Sequence, residues 1–353
     1  MDRPNGSTPE HNVIRLPLAT ESAPRQGPLL DTFGRVHNNL RISVTDRCNL
    51  RCTYCMPENV TFMNKRELLT FEEITRFVEI VAPLGIDKIR LTGGEPLLRR
   101  DLPQLVKMIV RIPGIKDVGL TTNGNTLAES AQALFDAGLR RINVSLDALD
   151  PDRFRELARR DGVERVIAGI LAAKKAGFEP VKINAVAIRG VSEFEVVPLA
   201  RFAREHGLEV RFIEYMPIGA DQWEREKVYF AHEILDQLET HVGSLVPAAD
   251  QDPRAPAQNF DYTDGGGRVG IIASISRPFC LSCNRVRLTA EGKLRNCLFA
   301  LNEIDLKPLL RNGGAPEEVA ELVRQNIWEK WEGHEINTAR FVKPDRTMHA
   351  IGG

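Results

Sequence analysis

Residues 40–55 read LRISVTDRCNLRCTYC. Leu40, Ile42 and Val44 alternate with Arg41, Ser43 and Thr45, the two-residue period of a strand with one face toward a core. Cys48, Cys52 and Cys55 follow at once in a C-x3-C-x2-C pattern, so the strand delivers three thiols on the loop at its carboxyl end. Similar β-rich runs recur downstream: KIRLTGG (88–94), VGLTTNG (118–124), RINVSLD (141–147), KINAVAI (182–188) and VRFIEYM (210–216). Helical periods lie between them. Ile74, Phe77, Val78 and Val81 fall at i, i+3, i+4 and i+7 within Phe71 to Pro83, and a second period from Val163 stops at Gly177. Strand-helix alternation at this spacing requires right-handed crossovers and a parallel sheet. Six units fall short of a full eight-stranded barrel. The expected fold is therefore α/β, a partial (βα)6 TIM-like barrel whose opening is closed by a C-terminal α+β domain.

The domain reading follows from where this alternation begins and ends. Residues 1–30 carry five prolines among Ser, Thr and Asn without an apolar period, which describes a disordered extension. Residues 31–220 form the barrel unit with the first cysteine cluster, and 221–353 the C-terminal unit with the second. In that last third, prolines and Gly265 to Gly267 punctuate a loop-rich region. GIIASIS (270–276), a Cys-rich turn, a hairpin (RVRLT, AEG, KLRNCLF) and two helices follow. Polar residues sit where the barrel strands end: Thr92 to Gly94, Thr121 to Gly124, and Ser145. In parallel α/β folds ligands bind at the carboxyl ends of strands, and the site is expected there.

Composition narrows the classes of function. The chain has 353 residues, 42% hydrophobic and 27% charged, an ordinary globular balance. Lys plus Arg (47) nearly cancels Asp plus Glu (48), which removes the basic excess a non-specific nucleic-acid binder uses against phosphates. No apolar run approaches the roughly 18 residues that span a bilayer, and the opening MDRPNGSTPEHN lacks a secretory hydrophobic segment. A cytoplasmic protein that binds neither membrane nor nucleic acid is expected, with its six cysteines reduced.

The cysteines carry the chemistry. Structural zinc takes four ligands from paired knuckles, and no fourth Cys or His follows Cys48, Cys52 and Cys55 at suitable spacing before the next strand. An iron-sulfur cluster normally takes four thiolates, so three leave one iron open to a small molecule. Cys280 and Cys283 form C-x2-C and Cys297 follows across the hairpin, again three without a fourth. Zinc with a remote histidine stays an alternative there, with His241 and His334 distant in sequence. Between these cysteines lies R-V-R, which puts Arg285 and Arg287 on one strand face and Val286 on the other. Arg41, Arg90 and Lys182 also alternate with apolar neighbours, and inward-facing charge needs a counter-ion. A nucleoside triphosphate would supply it, held by side chains, since no G-x-x-x-x-G-K-[ST] loop exists.

C-x3-C-x2-C with Tyr54 before the last Cys, followed by Gly93, Gly94, Glu95 and Pro96 after the second strand, resembles the radical S-adenosylmethionine superfamily. The two three-Cys clusters, C-x2-C-N-R-V-R-L-T, L-R-I-S-V-T-D-R-C-N and the terminal Gly-Gly resemble, within it, the GTP 3′,8-cyclase family of molybdenum cofactor biosynthesis. That resemblance covers residues 33 to 353. It implies two 4Fe-4S clusters, on Cys48, Cys52 and Cys55 and on Cys280, Cys283 and Cys297, with S-adenosylmethionine chelated by the open iron of the first. By position, the S-adenosylmethionine contacts fall on Tyr54, Gly94, Ser145 and Met216. The GTP contacts fall on Arg41, Arg90, Thr121, Lys182, Arg285, Val286 and Arg287. Arg285, Arg287, Gly352 and Gly353 are the implied catalytic group, with the Gly-Gly tail reaching into the site instead of fraying.

The resemblance further implies that a 5′-deoxyadenosyl radical takes H3′ of GTP and that C3′ then bonds to C8 of guanine. GTP is the implied substrate, an electron donor protein or other reductant the source of electrons, and cyclic pyranopterin monophosphate synthase the acceptor of the product; a homodimer is compatible. Glu95 is expected to accept from a charged amine. Competing readings are a radical peptide-modifying maturase with an auxiliary cluster and a non-catalytic iron-sulfur or zinc protein.

Overall fold

The computed structural model describes residues 22–219 and 222–352. Its strands are β1 (Asn39–Ser43), β2 (Lys88–Thr92), β3 (Asp117–Thr122), β4 (Arg141–Ser145), β5 (Val181–Ala187), β6 (Glu209–Glu214), β7 (Leu245–Pro247), β8 (Gln258–Tyr262), β9 (Arg268–Ile272), β10 (Arg285–Leu288), β11 (Lys293–Arg295) and β12 (Ile304–Asp305). They form one mixed 12-stranded sheet in the order β12-β11-β10-β1-β2-β3-β4-β5-β6-β9-β8-β7. From β1 to β6 each strand lies beside and parallel to the next, as the alternation requires.

The connecting helices form for reasons written in their sequences. Phe71–Val81 opens on a capping box, with the Thr70 hydroxyl accepting from the Glu73 N–H and the Glu73 carboxylate accepting from the Thr70 N–H. Its buried residues are Ile74, Phe77, Val78 and Val81, the face read from the period, and each contributes about 1.5–3 kcal/mol by leaving water. Val163–Ala176 ends at Gly177, whose N–H donates back to the Ala173 carbonyl.

The last third does more than cover the sheet. β10 pairs parallel with β1, setting Arg287 beside Arg41, and β9 pairs parallel with β6. Both edges of the six-stranded core are thereby extended. An open edge presents unpaired N–H and C=O groups, and distant strands satisfy them here. Beyond β10 the expected hairpin to β11 is present, and β8 and β7 follow β9 as an antiparallel meander. The loop-rich reading of this region gives way to β7, β8 and a helix, Ala231–His241, whose buried face of Ala231, Ile234 and Leu238 is too sparse to announce itself.

The amino-terminal expectation also shifts. Residues 1–21 lie outside the described residues, but 22–30 are not a free extension. Leu29 is buried, its N–H donates to the Leu84 carbonyl at 3.2 Å, and Leu30 bridges to Val36. Two adjacent leucines are too short a run to show a period within Pro-rich sequence. Among the described residues no helix is long and apolar enough to cross a membrane.

Candidate active site

The first cysteine loop leaves the end of β1 and is held on two sides. The N–H groups of Arg51 and Thr53 donate to the Ala158 and Leu157 carbonyls at 2.9 and 3.0 Å, tying it to the helix Pro151–Ala158. On the other side it meets the residues after β2. Gly94 N–H donates to the Thr45 carbonyl and Glu95 N–H to the Arg47 carbonyl, both at 2.7 Å. A Cβ on Gly94 would lie 2.5 Å from the Asp46 carbonyl oxygen and closer still to that of Arg47. Only glycine allows this approach. Gly94→Ala is expected to cost about 2–3 kcal/mol and to reduce iron loading at the first loop; thermal unfolding and iron analysis check this, and an unchanged melting temperature would refute it.

Glu95 is bonded within the fold. It is fully buried, and its carboxylate accepts from Thr122 Oγ1 at 2.7 Å, Asn123 N at 2.6 Å and Leu97 N at 2.9 Å. Burial pushes its pKa up to about 7. With these donors engaged it braces the turn after β3. Asn123 carries that order onward, its Nδ2 donating to Asn49 Oδ1 at 2.8 Å and approaching Cys48 Sγ at 3.6 Å.

A cavity of about 250 Å³ is lined by Arg41, Arg90, Thr121, Ser145, Arg285 and Arg287, among others. Tyr54 and Met216 from the first loop and from just past β6 line it too, as do Cys280, Cys283 and Cys297. Gly94, Lys182 and Val286 do not. The Val286 side chain belongs to the hydrophobic core, and the Lys182 ammonium is paired with Glu209, a carboxylate that Arg211 also approaches at 3.9 Å. Tyr54 Oη donates to Asp147 Oδ2 at 2.6 Å, which fixes its ring at the cavity wall.

The cavity's cations are under-compensated. Burial, followed by repulsion from Arg287, Arg285 and Arg90, lowers the pKa of Arg41. Burial likewise brings Arg90 down to about 9 and Arg287 to about 10. Arg285 keeps Nε and Nη2 buried without a hydrogen-bond partner among the described residues, its guanidinium 4.5 Å from the Phe279 ring centroid. Buried charge of one sign is costly unless an opposite charge arrives, so the arrangement is built to receive a polyanion.

The second triad has its own scaffold. Arg35 gathers three backbone carbonyls, donating from Nη1 to Cys280 at 2.8 Å and Glu332 at 2.6 Å and from Nη2 to Trp331 at 2.6 Å. Its Nε is held by Asp31, which also accepts from His37. Lys330 Nζ approaches Cys283 Sγ at 3.4 Å. Burial raises the Cys283 pKa, but Lys330 and Arg285 outweigh it and bring the thiol down to about 6.

The described tail ends inside this site. Helix Met348–Ile351 packs with Ile351 fully buried, and the Gly352 carbonyl accepts from Arg287 Nη1 at 2.6 Å. The His349 N–H faces the Cys55 thiol. Gly353 lies outside the described residues. Asn143, Asp147, Asn184, Asn296 and Met348 also line the cavity, and sequence reasoning missed them together with Arg35, Lys330 and Asn123. Asn143 and Asn184 sit on β4 and β5, where a polar residue within an otherwise apolar strand was an available signal; Lys330 and Arg35 had none.

All six thiols are free and half-buried. Burial pushes Cys48 and Cys280 up to about 11 and Cys55 to about 12, so only a cationic partner would turn them into thiolates. Among the described residues no three His, Cys, Asp or Glu side chains are gathered tightly enough for a single metal ion. Three soft sulfur donors per site fit an iron-sulfur cluster with one iron left open.

Comparison with known proteins agrees with this geometry. Residues 42–203 match the radical SAM superfamily and residues 208–336 match Molybdenum Cofactor Synthesis C. A GTP 3′,8-cyclase of Rhodopirellula baltica is 48% identical over 92% of this chain and 92% of its own. One from Streptomyces coelicolor is 47% identical over 95% of this chain and 100% of its own. Among solved structures, Streptococcus suis SuiB bound to S-adenosylmethionine aligns with a TM-score of 0.59 at 16% identity, over 84% of this chain and 68% of that one, a likeness of fold. Two thiol triads, a cavity of under-compensated arginines and relatives alike over nearly their whole lengths lead to one assignment: the chain belongs to the GTP 3′,8-cyclase family of the radical S-adenosylmethionine superfamily.

Proposed function

We propose that this chain converts GTP to 3′,8-cyclo-7,8-dihydro-GTP, the first step of molybdenum cofactor biosynthesis, with two 4Fe-4S clusters and S-adenosylmethionine. One observation carries the reading: the second thiol triad shares a cavity with Arg41, Arg90, Arg285 and Arg287, cations that call for a polyanion beside a metal centre. When bound, the first cluster and S-adenosylmethionine supply a carbon radical able to take a hydrogen atom from a sugar. The chain's residues place the sugar, hold the phosphates and exclude water, because such a radical reacts with whatever lies nearest.

Tyr54, Ser145 and Met216 are the side chains assigned to S-adenosylmethionine, with Gly94 shaping the loop beneath. Arg41, Arg90, Arg285 and Arg287 are assigned to the triphosphate and Thr121 to the same ligand; Val286 contributes only backbone. Lys182 reaches a phosphate by exchanging its Glu209 partner for it. Gly352 orients Arg287, and through it the substrate; Gly353 is assigned to the same catalytic group.

The corresponding architecture is a curved partial (βα)6 barrel over 31–220, closed by a unit over 221–353 that supplies β9, β10 and the tail. An electron donor protein or other reductant delivers electrons in the cytoplasm, and a cyclic pyranopterin monophosphate synthase takes the product. The test is anaerobic reconstitution with iron and sulfide, then reductant, S-adenosylmethionine and GTP deuterated at C3′. Deuterium is expected in the released 5′-deoxyadenosine. Equal release without GTP, carrying no deuterium, would refute GTP as substrate and turn the search to peptides.

A further inference from the structure

Lys330 is almost wholly buried, 3% exposed, yet among the described residues no carboxylate forms an ion pair with it. Its Nζ has two acceptors, Arg285 O at 2.8 Å and Cys283 Sγ at 3.4 Å. As thiolates, Cys283 and Cys297 would attract it, while Arg35 and Arg285 repel it. An ammonium is not buried beside two guanidinium groups unless something anionic compensates it, and here only sulfur is placed to do so.

The backbone around Lys330 is fixed with unusual completeness. Arg35 holds the carbonyls of Trp331 and Glu332 on one side and that of Cys280 on the other, so the lysine segment and the cysteine turn are joined through one guanidinium. Gly333 packs against Cys280, where an added Cβ would sit 3.3 Å from the cysteine Cβ. Asp31 accepts from Arg35 Nε and His37 Nε2 and anchors the clamp in the amino-terminal segment. The distance from Nζ to Sγ is thus set by the fold.

We propose that Lys330 is a positioning residue for the second cluster, donating a charged hydrogen bond to the Cys283 sulfur and so raising the reduction potential of the centre that Cys280, Cys283 and Cys297 hold. The inference rests on the cluster reading of that triad. Cluster potentials respond to net charge and to hydrogen bonds on their sulfurs, and a fixed positive charge favours the reduced, more negative state. None of the first triad's thiols has an ammonium so placed among the described residues; Cys48 instead has the Leu50 N–H and the neutral Asn123 amide. The charged hydrogen bond to sulfur thus distinguishes the second triad from the first, where Arg51 instead donates to the Cys48 carbonyl.

The experiment is a redox titration of the reconstituted full chain followed by electron paramagnetic resonance, the first cluster's signal being marked by its change on adding S-adenosylmethionine. Lys330→Met and Lys330→Gln are expected to shift the other midpoint to more negative values, with Lys330→Arg near the native value. Lys330→Met that retains both clusters at an unshifted midpoint overturns the proposal. If Lys330→Met loses the second cluster, Lys330→Gln decides: loaded and unshifted, it overturns the proposal; loaded and shifted, with Lys330→Arg restoring the midpoint, it supports it. Lys330→Arg as displaced as Lys330→Met also overturns it, since packing and not charge would then be responsible. A native chain that takes up about four irons instead of about eight refutes the cluster reading itself.

Discussion

Replacing Cys52 by serine is expected to abolish 5′-deoxyadenosine release, whereas replacing Cys297 by serine leaves that release and abolishes the cyclised nucleotide. The separation follows from two independent scaffolds. The first triad hangs on the Gly93–Gly94 contact, Asn123 and the helix Pro151–Ala158, and the second on Arg35, Lys330 and the turn before β10. Neither network shares a side chain with the other, so losing one cluster need not unfold the cradle of its partner. Each variant should fall from about eight irons to about four. In Cys297→Ser the residual cleavage should no longer respond to GTP, because the cavity wall that meets the substrate has lost its metal centre. The paired measurement is iron content with quantified 5′-deoxyadenosine and cyclised nucleotide. Retained cyclisation in Cys297→Ser would remove the second cluster from the reaction.

Much of this site could be read before any coordinates because its elements are local. A strand period, a C-x3-C-x2-C loop and a Gly-Gly-Glu-Pro turn each lie within a few residues, and the six cysteines and β1 to β6 stand where those signals put them. What escaped is non-local. The pairing of Asn39 with Arg285 joins segments far apart in the chain, and no periodicity in either announces the other. Arg35 and Lys330 matter only because that pairing brings the start and end of the chain together. The bracing role of Glu95 was equally hidden, because its three internal donors come from the end of β3 and the residues after β2 and β3. Lys182 reads as a charge awaiting a phosphate, and in the fold it is paired with Glu209.

Gly352→Ala is expected to lower GTP affinity about 10- to 100-fold and cyclisation with it, and to lower the melting temperature slightly, while GTP-independent S-adenosylmethionine cleavage stays near native. Gly352 has φ +80, where an alanine costs about 1–2 kcal/mol. Its Cβ would also sit 2.7 Å from Thr92 Oγ1 and 2.9 Å from Ser43 Cβ, at the ends of β2 and β1. The last residues must then withdraw, and Arg287 loses the carbonyl that orients it. A hydrogen bond to a charged group contributes about 1.5–3 kcal/mol, which sets the size of the affinity loss. Arg287→Ala removes the other half of the contact. If the tail acts by aiming this guanidinium, the double variant should bind GTP no more weakly than Arg287→Ala alone. Losses that multiply would mean instead that the tail and Arg287 contact the nucleotide separately. Because the His349 N–H faces Cys55 while Gly352 meets Arg287, one short segment touches the surroundings of both triads, and withdrawing it should uncouple radical formation from substrate capture.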